Sequence, residues 1–184
     1  MGRLKKFTRE EVLNKTIPVF WKHGFAETTV QDPELATGVN KSGLYAEFEN
    51  KEDLFVASLR RYLEFLQEHK TLTKKPLGWA NIEDFLKICK GGWGQRGCFS
   101  VNSMREFSDL PVQARELMVG SVTRIKGQLI RNLSAIRGKS ADNDVLAGLI
   151  LTFFAGICLE QNLNPTERQI AEKIAQFMQI IRPI

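Results

Sequence analysis

Apolar residues recur at intervals of three and four along most of the chain, the spacing of one face of an α-helix. Val12, Leu13, Thr16, Val19 and Phe20 form the first such stripe, after Thr8 and Glu11 in a capping-box spacing and before a stop at Gly24. Pro18 falls inside it and predicts a kink. Leu54, Phe55, Leu59, Tyr62, Leu63, Phe65 and Leu66 mark a longer helix to about Lys70, with Asn50 as its cap and acids in its first turn. After a loop over residues 71–80, Asn81 reads as the cap of a helix through Phe85, Leu86 and Ile88, broken by Gly91, Gly92, Gly94 and Gly97. A short helix over residues 99–107 follows. Pro111 then opens a long one through Leu117, Val122, Ile125, Leu129, Ile130 and Leu133 to Gly138, and residues 141–161 and 166–181 complete the set. No stretch alternates with period two for long enough to build a sheet. The pattern predicts an all-α fold of eight or nine helices.

The intervening stretch, residues 28–48, reads TTVQDPELATGVNKSGLYAEF. Thr28 with Gln31 offers a second capping box, Gly38 the positive-φ residue of a tight turn, and Asn40 the cap of a short third helix to Glu47. Helix, glycine turn, helix is the helix-turn-helix pattern. Leu35, Ala36, Val39 and Leu44 are expected to face the core. Lys41, Ser42, Gly43 and Tyr45 are expected outside, small and polar enough to enter a major groove. Pro33 admits two readings. Either it kinks a helix that starts at Thr28, or Asp32 caps a shorter helix with Pro33 in its first position.

Composition narrows the chemistry. With 184 residues, 43% hydrophobic and 26% charged, the chain can bury a core without disulfides or metal. Cys89, Cys98 and Cys158 are widely spaced, and His23 and His69 are the two histidines. That argues against a disulfide framework and a structural zinc site, and for reduced thiols. The start MGRLKKFTREE lacks the apolar core of a secretory signal, and no run was expected to reach the roughly 20 apolar residues of a membrane span. A cytoplasmic protein, with no membrane partner, is expected. The net charge of +5 and pI of 9.2 suit a nucleic-acid partner. Yet residues 1–55 hold eight basic residues (Arg3, Lys5, Lys6, Arg9, Lys15, Lys22, Lys41, Lys51) against nine acids, so the charge there must be segregated by face.

The ordered residues Gly24-Phe25, Thr28-Thr29, Gly38-Val39, Lys41, Leu44-Tyr45, Phe48 and Lys51-Glu52-Asp53-Leu54 resemble the DNA-binding signature of the TetR family of transcriptional regulators. The resemblance is strong over residues 24–55 and mostly architectural beyond. It implies a helix-turn-helix DNA-binding domain over residues 1–50 and a helical ligand-binding and dimerisation domain over residues 51–184. It also implies that Thr28 and Thr29 offer the start of helix two to a phosphate, that Tyr45 and Lys51 reach phosphates, and that Asn40, Lys41, Ser42 and Gly43 face the groove. Core packing is the alternative for Tyr45. The arm Arg3, Lys5, Lys6 can add nonspecific affinity. Pro33 stands where the family has an aliphatic residue.

The remaining motifs are weaker. Residues 92–97, GWGQRG, match G-x-G-x-x-G, but a helical pattern precedes them and no βαβ unit surrounds them, so a dinucleotide site is not expected. No acid, base and nucleophile constellation points to an enzyme, and no cofactor is implied. Residues 96–102, RGCFSVN, resemble a stretch in one branch of the family at the start of a cavity-lining helix. Cys98 there is either a small buried hydrophobe or a thiol poised to sense electrophiles or oxidants. A cavity among residues 80–160 has Trp93, Cys98, Phe99, Met104, Phe107, Met118 and Phe153 as candidate liners, and the scarcity of charge there predicts an apolar or aromatic small-molecule effector rather than a polyanion. The apolar helix around 141–161 and the striped helix around 165–181 (Ile170, Ile174, Phe177, Met178, Ile181) either complete a monomer core or form an intersubunit four-helix bundle, as in the family. The expectation is a dimeric repressor, released from a palindromic operator by a small effector. The alternatives are a sensor acting through Cys98, and a helical small-molecule-binding protein or enzyme with a vestigial reading head.

Overall fold

The computed structural model describes residues 7–68, 70–88 and 93–183. Among them are nine α-helices and no extended strand: α1 Arg9–Glu27, α2 Gln31–Thr37, α3 Lys41–Tyr45, α4 Lys51–Glu68, α5 Trp79–Lys87, α6 Phe99–Ser103, α7 Val112–Arg137, α8 Asp142–Glu160 and α9 Glu167–Ile181. The arm Arg3, Lys5, Lys6, together with His69, Cys89, Gly91 and Gly92, lies outside the described residues.

Local signals place most ends. Thr8 and Glu11 form the reciprocal capping box of α1, and Thr166 and Gln169 that of α9. Asn50 Oδ1 accepts the Asp53 amide at 2.8 Å to start α4. Gly138 closes α7 at φ +77°. Two expected features shift. Pro18 leaves α1 helical, and the break comes at Gly24, φ +82°, after which a short turn continues to Glu27. Asn81 is no cap. It lies inside α5, buried, and donates to Lys74 O at 2.7 Å and Asn132 Oδ1 at 3.0 Å.

A single apolar core runs through the molecule. Its centre is an aromatic cluster in which Phe99 meets Trp21, Phe55 and Tyr62 with ring centroids 5.6–6.0 Å apart. This cluster ties α1 and α4 to α6. Lower down, Phe85 of α5 stacks on Phe154 of α8 at 4.5 Å. The loop after α4 is held by Asn132 of α7, fully buried. Its Nδ2 donates to Leu72 O and Gln128 O at 2.8 and 2.9 Å, and its Oδ1 accepts the Gly78 amide at 2.9 Å.

The segment Asp142–Leu163 has a mean hydropathy of 1.6 and is long and apolar enough to cross a membrane, contrary to the sequence expectation. Its inner side packs in the bundle, where Leu146, Ala147, Ile150, Phe154, Ile157 and Cys158 are buried. Val145 and Leu149 lie exposed on its other side.

Candidate nucleic-acid interface and effector cavity

The reading head is α1, α2 and α3. Gly38, φ +74°, ends α2 and donates its amide to Glu34 O, giving the tight turn. Asn40 Oδ1 then accepts the Gly43 amide at 2.9 Å and starts α3. Val39 and Leu44 are buried beneath the turn, as the pattern required. Leu35 is instead 83% exposed and Ala36 exposed, and the residue that α2 buries is Pro33.

The start of α2 is the main correction. It begins at Gln31, and Thr28 belongs to the end of α1. Thr28 is buried and donates its hydroxyl to Gly24 O at 2.5 Å. Asp32 does not cap the helix forwards. Its carboxylate reaches back to the Thr29 amide and hydroxyl, both at 2.7 Å, and the Thr29 hydroxyl bond holds its pKa below the usual carboxylate value. Pro33 is the third residue of α2 and buried. There its missing N–H removes no helical bond, since the first turn has no intrahelical acceptor. The helix is short rather than kinked. The Thr29 amide and hydroxyl, which the resemblance offers to a phosphate, are both bonded to Asp32 here.

Basic residues in the head mostly close helix ends. Lys51 Nζ donates to Phe25 O at 3.0 Å and Thr28 O at 3.1 Å, and sits over the Phe25 ring at 4.5 Å. Lys15 Nζ donates to Thr37 O at 3.3 Å, at the end of α2. Arg9 donates to Glu47 O beyond α3 and covers the Phe48 ring. Cations there meet carbonyls at the negative ends of helix dipoles. Lys51, expected on a phosphate, thus also holds the end of α1. Lys41 and Ser42 are exposed on α3, and Asn40 is exposed just before it. Tyr45 is half-buried. Burial, then Glu52 and Glu34, raise its phenol pKa, so it keeps a proton to donate. Gly43 serves packing: a Cβ there would come within 2.7 Å of Val39 Cγ1.

The body contains a cavity of about 430 Å³. Of the seven expected liners it takes Cys98 and Met104. Phe99 and Met118 are fully buried in the core, Trp93 packs on Phe65 at 4.7 Å, Phe153 stacks on Phe177 at 3.8 Å, and Phe107 is partly exposed away from the cavity. The walls come instead from Leu63 and Leu66 of α4, Phe85 and Ile88, Ile125 of α7, and Leu151 and Phe154 of α8. These apolar residues sit in predicted apolar helices, so nothing in the sequence marks them as cavity walls rather than core.

Cys98 is buried at the head of α6. Tyr62 donates its hydroxyl to Cys98 Sγ at 3.2 Å. Hydrogen bonds from Cys158, against an opposing burial effect, and then from Tyr62 and the Val101 and Ser100 amides, pull the thiol down to about 7. Tyr62 moves the other way, raised chiefly by burial. Among the described residues no group of His, Cys, Asp and Glu could hold a metal ion.

Head and body touch at a second place. Glu106, in the 3₁₀ turn after α6, accepts the amides of Phe25 and Ala26 at 2.7 and 3.0 Å. A Cβ at Gly24 would collide with that carboxylate. Trp21 Nε1 donates to Arg96 O at 3.0 Å nearby.

Fold and site together define a helix-turn-helix head on a helical body with an internal cavity. The family model for bacterial regulatory proteins of the tetR family matches residues 12–58, which span most of the head and the start of α4. The chain is 36% identical over 114 residues to the HTH-type transcriptional repressor ComR of Escherichia coli K12, covering 58% of this chain and 54% of that protein. It is 38% identical over 64 residues to an uncharacterized HTH-type regulator, YezE, of Bacillus subtilis, covering 35% and 33%. The chain thus aligns with about half or less of the length of these relatives. Among solved structures, a cysteine mutant of the TetR-family regulator CifR complexed with 26 bp operator DNA superposes with a TM-score of 0.82 at 18% identity, covering 97% of this chain and 98% of that one. A TetR regulator from Chloroflexus aurantiacus gives 0.81 at 24%, covering 94% and 93%. The whole fold is therefore shared with these structures.

Proposed function

We propose that the protein is a dimeric transcriptional repressor that binds a palindromic DNA operator and is released by a small apolar or aromatic effector. The observation that carries this is the span of α4. Its first residue, Lys51, holds the end of α1 in the head, while Leu63 and Leu66 near its other end form walls of the cavity. A ligand that favours one setting of those walls biases the head by its differential affinity for the two states. Residues 1–50 serve as the DNA-binding domain and 51–184 as the ligand-binding and dimerisation domain. The reading surface is Asn40, Lys41 and Ser42 on and before α3, with Thr29 and Tyr45 toward the backbone. Thr28, Gly43 and Lys51 support it.

Dimerisation is supported by the outer face of α8 and α9. Val145, Leu149 and Ile180 are 54–67% exposed, and the stacked Phe153 and Phe177 lie between the two helices. Apolar exposure of this kind calls for a partner, and a two-fold pair of heads about 34 Å apart suits a palindrome. Such a regulator works in the cytoplasm, with no enzymatic role. A mobility shift on the DNA flanking its own coding region, at low salt, tests the reading. Sequence-specific retardation supports it, and no specific binding with or without candidate effectors rejects it.

The Cys98 geometry favours a second input. A thiol drawn down to about 7 on the cavity wall is partly thiolate at neutral pH and open to an electrophile that enters the cavity.

A further inference from the structure

The cavity's polar groups say more about its occupant than its apolar walls do. Ser100 and Ser121 line it and are each 7% exposed. Neither hydroxyl has a hydrogen-bond partner among the described residues, although other buried hydroxyls do, such as Ser103 on Phe99 O and Thr16 with Ser58. The Ser100 and Ser121 oxygens are not sealed from solvent but open to the cavity, where water or a ligand can take the bond. Gln128 lines the same cavity, and its side-chain amide is also unspent. Arg124 and Lys70 stand exposed at its edge, and neither is engaged in an ion pair with the described residues. No Asp or Glu lies among the described lining residues. The cavity therefore has apolar walls from Phe85, Phe154 and Leu151, unpaired donors at two serines, and two uncompensated cations with no anion.

Resting on the reading of this cavity as the effector site, we propose that its ligand class is the small monocarboxylic acid with an aryl or alkyl body. The body lies against Phe85, Phe154 and Leu151. The carboxylate accepts from Ser100 or Ser121 and faces Arg124, whose planar fork suits two carboxylate oxygens. A volume of about 430 Å³ holds a body of roughly 15 non-hydrogen atoms. A cationic amphiphile of the same shape meets two like charges, and a neutral one leaves them unanswered.

The test is calorimetric titration of the full chain, at low ionic strength, with three probes of one shape: 4-phenylbutyrate, 4-phenylbutan-1-ol and 4-phenylbutylamine. The acid is expected to bind about tenfold tighter than the alcohol, and the amine weakest. Arg124→Gln is expected to abolish the preference of acid over alcohol, while Arg124→Lys keeps most of it. Ser121→Ala weakens acid and alcohol alike. Melting curves of each variant establish that it is folded. Equal affinities, a preference for the amine, a preference unaltered in Arg124→Gln, or no binding of any probe at millimolar concentration overturns the proposal. The regulator reading is judged separately by DNA retardation without any probe, so a chain that binds the acid but no DNA loses that reading and keeps this one.

Discussion

At the scale of single residues, buried polar groups do much of the specifying. Asn132 uses both ends of its amide to fix the loop after α4 and to hold Asn81. Replacing it with Ala leaves the Gly78 amide and the Leu72 carbonyl unsatisfied. Asn132→Ala is expected to lower stability by about 2–4 kcal/mol in chemical denaturation, more than an average core substitution. Cys98 makes a prediction of a different kind. A lowered thiol pKa means that thiolate is present above about 7 and is lost as pH falls through that value. The rate of Cys98 alkylation by iodoacetamide, followed by mass spectrometry, should level off above about pH 8, whereas an ordinary thiol with pKa about 8.5 keeps accelerating beyond it. A rate still rising steeply between pH 8 and 9 rejects the lowered value. Neither Asn132 nor the Cys98–Tyr62 contact was visible in the sequence. Both join residues far apart along the chain, and periodicity reports the face of a helix, not its neighbour.

At the scale of elements, legibility depended on whether the signal was local. Thr8–Glu11, Asn50, Gly38, Asn40, Gly138 and Thr166 act on their own turns, and the helices begin or end where these residues place them. Thr28 misled because its hydroxyl is used by the preceding helix, a choice set by the break at Gly24. The lysines of the head have helix-end contacts that the sequence does not show, because a charge reads as solvated or DNA-facing until the fold brings a helix end within its reach. Since Pro33 sits harmlessly in the first turn of α2, Pro33→Leu should leave the melting temperature unchanged or lower it. A rise would revive the kinked helix. The link between Glu106 and the amides of Phe25 and Ala26 should contribute about 1–2 kcal/mol. Glu106→Ala is expected to lose that much, and hydrogen exchange should show the amides of Phe25 and Ala26 becoming less protected. Unchanged exchange there would show that the carboxylate does not hold the head.

At the scale of the whole molecule, the all-α fold was legible from periodicity, while the cavity was not. Apolar residues look alike whether they close a core or line a space. The surface charge has a consequence for DNA binding. Lys15, Lys51 and Arg9 are spent on helix ends, leaving Lys22, Lys41 and the arm Arg3, Lys5, Lys6 as the cations of each head. A dimer bound through all of these, five per head, should show a log–log salt slope of about −9, and substituting the three arm residues by Ala should cut it by a little more than half. An unchanged slope would assign the contacts elsewhere. Leu149→Glu places a charge on the exposed face of α8 and is expected to give a monomer in light scattering, with operator affinity falling at least tenfold.

On the proposed reading, the dimensions of α4 would turn a small event in the cavity into a larger one at the DNA. Eighteen residues make a rod of about 27 Å, so a tilt of only about 5° pivoting at the Leu63 end sweeps the Lys51 end through about 2 Å. Lys51 grips the carbonyls of α1, so the reading head is carried along rather than left behind. In a two-fold dimer the two displacements add, opening or closing the gap between recognition helices by about 4 Å against a groove repeat of about 34 Å. Stiffness, more than strength of contact, is then what sets the gain of the switch. A glycine pair introduced midway along α4 would keep both sites and disconnect them.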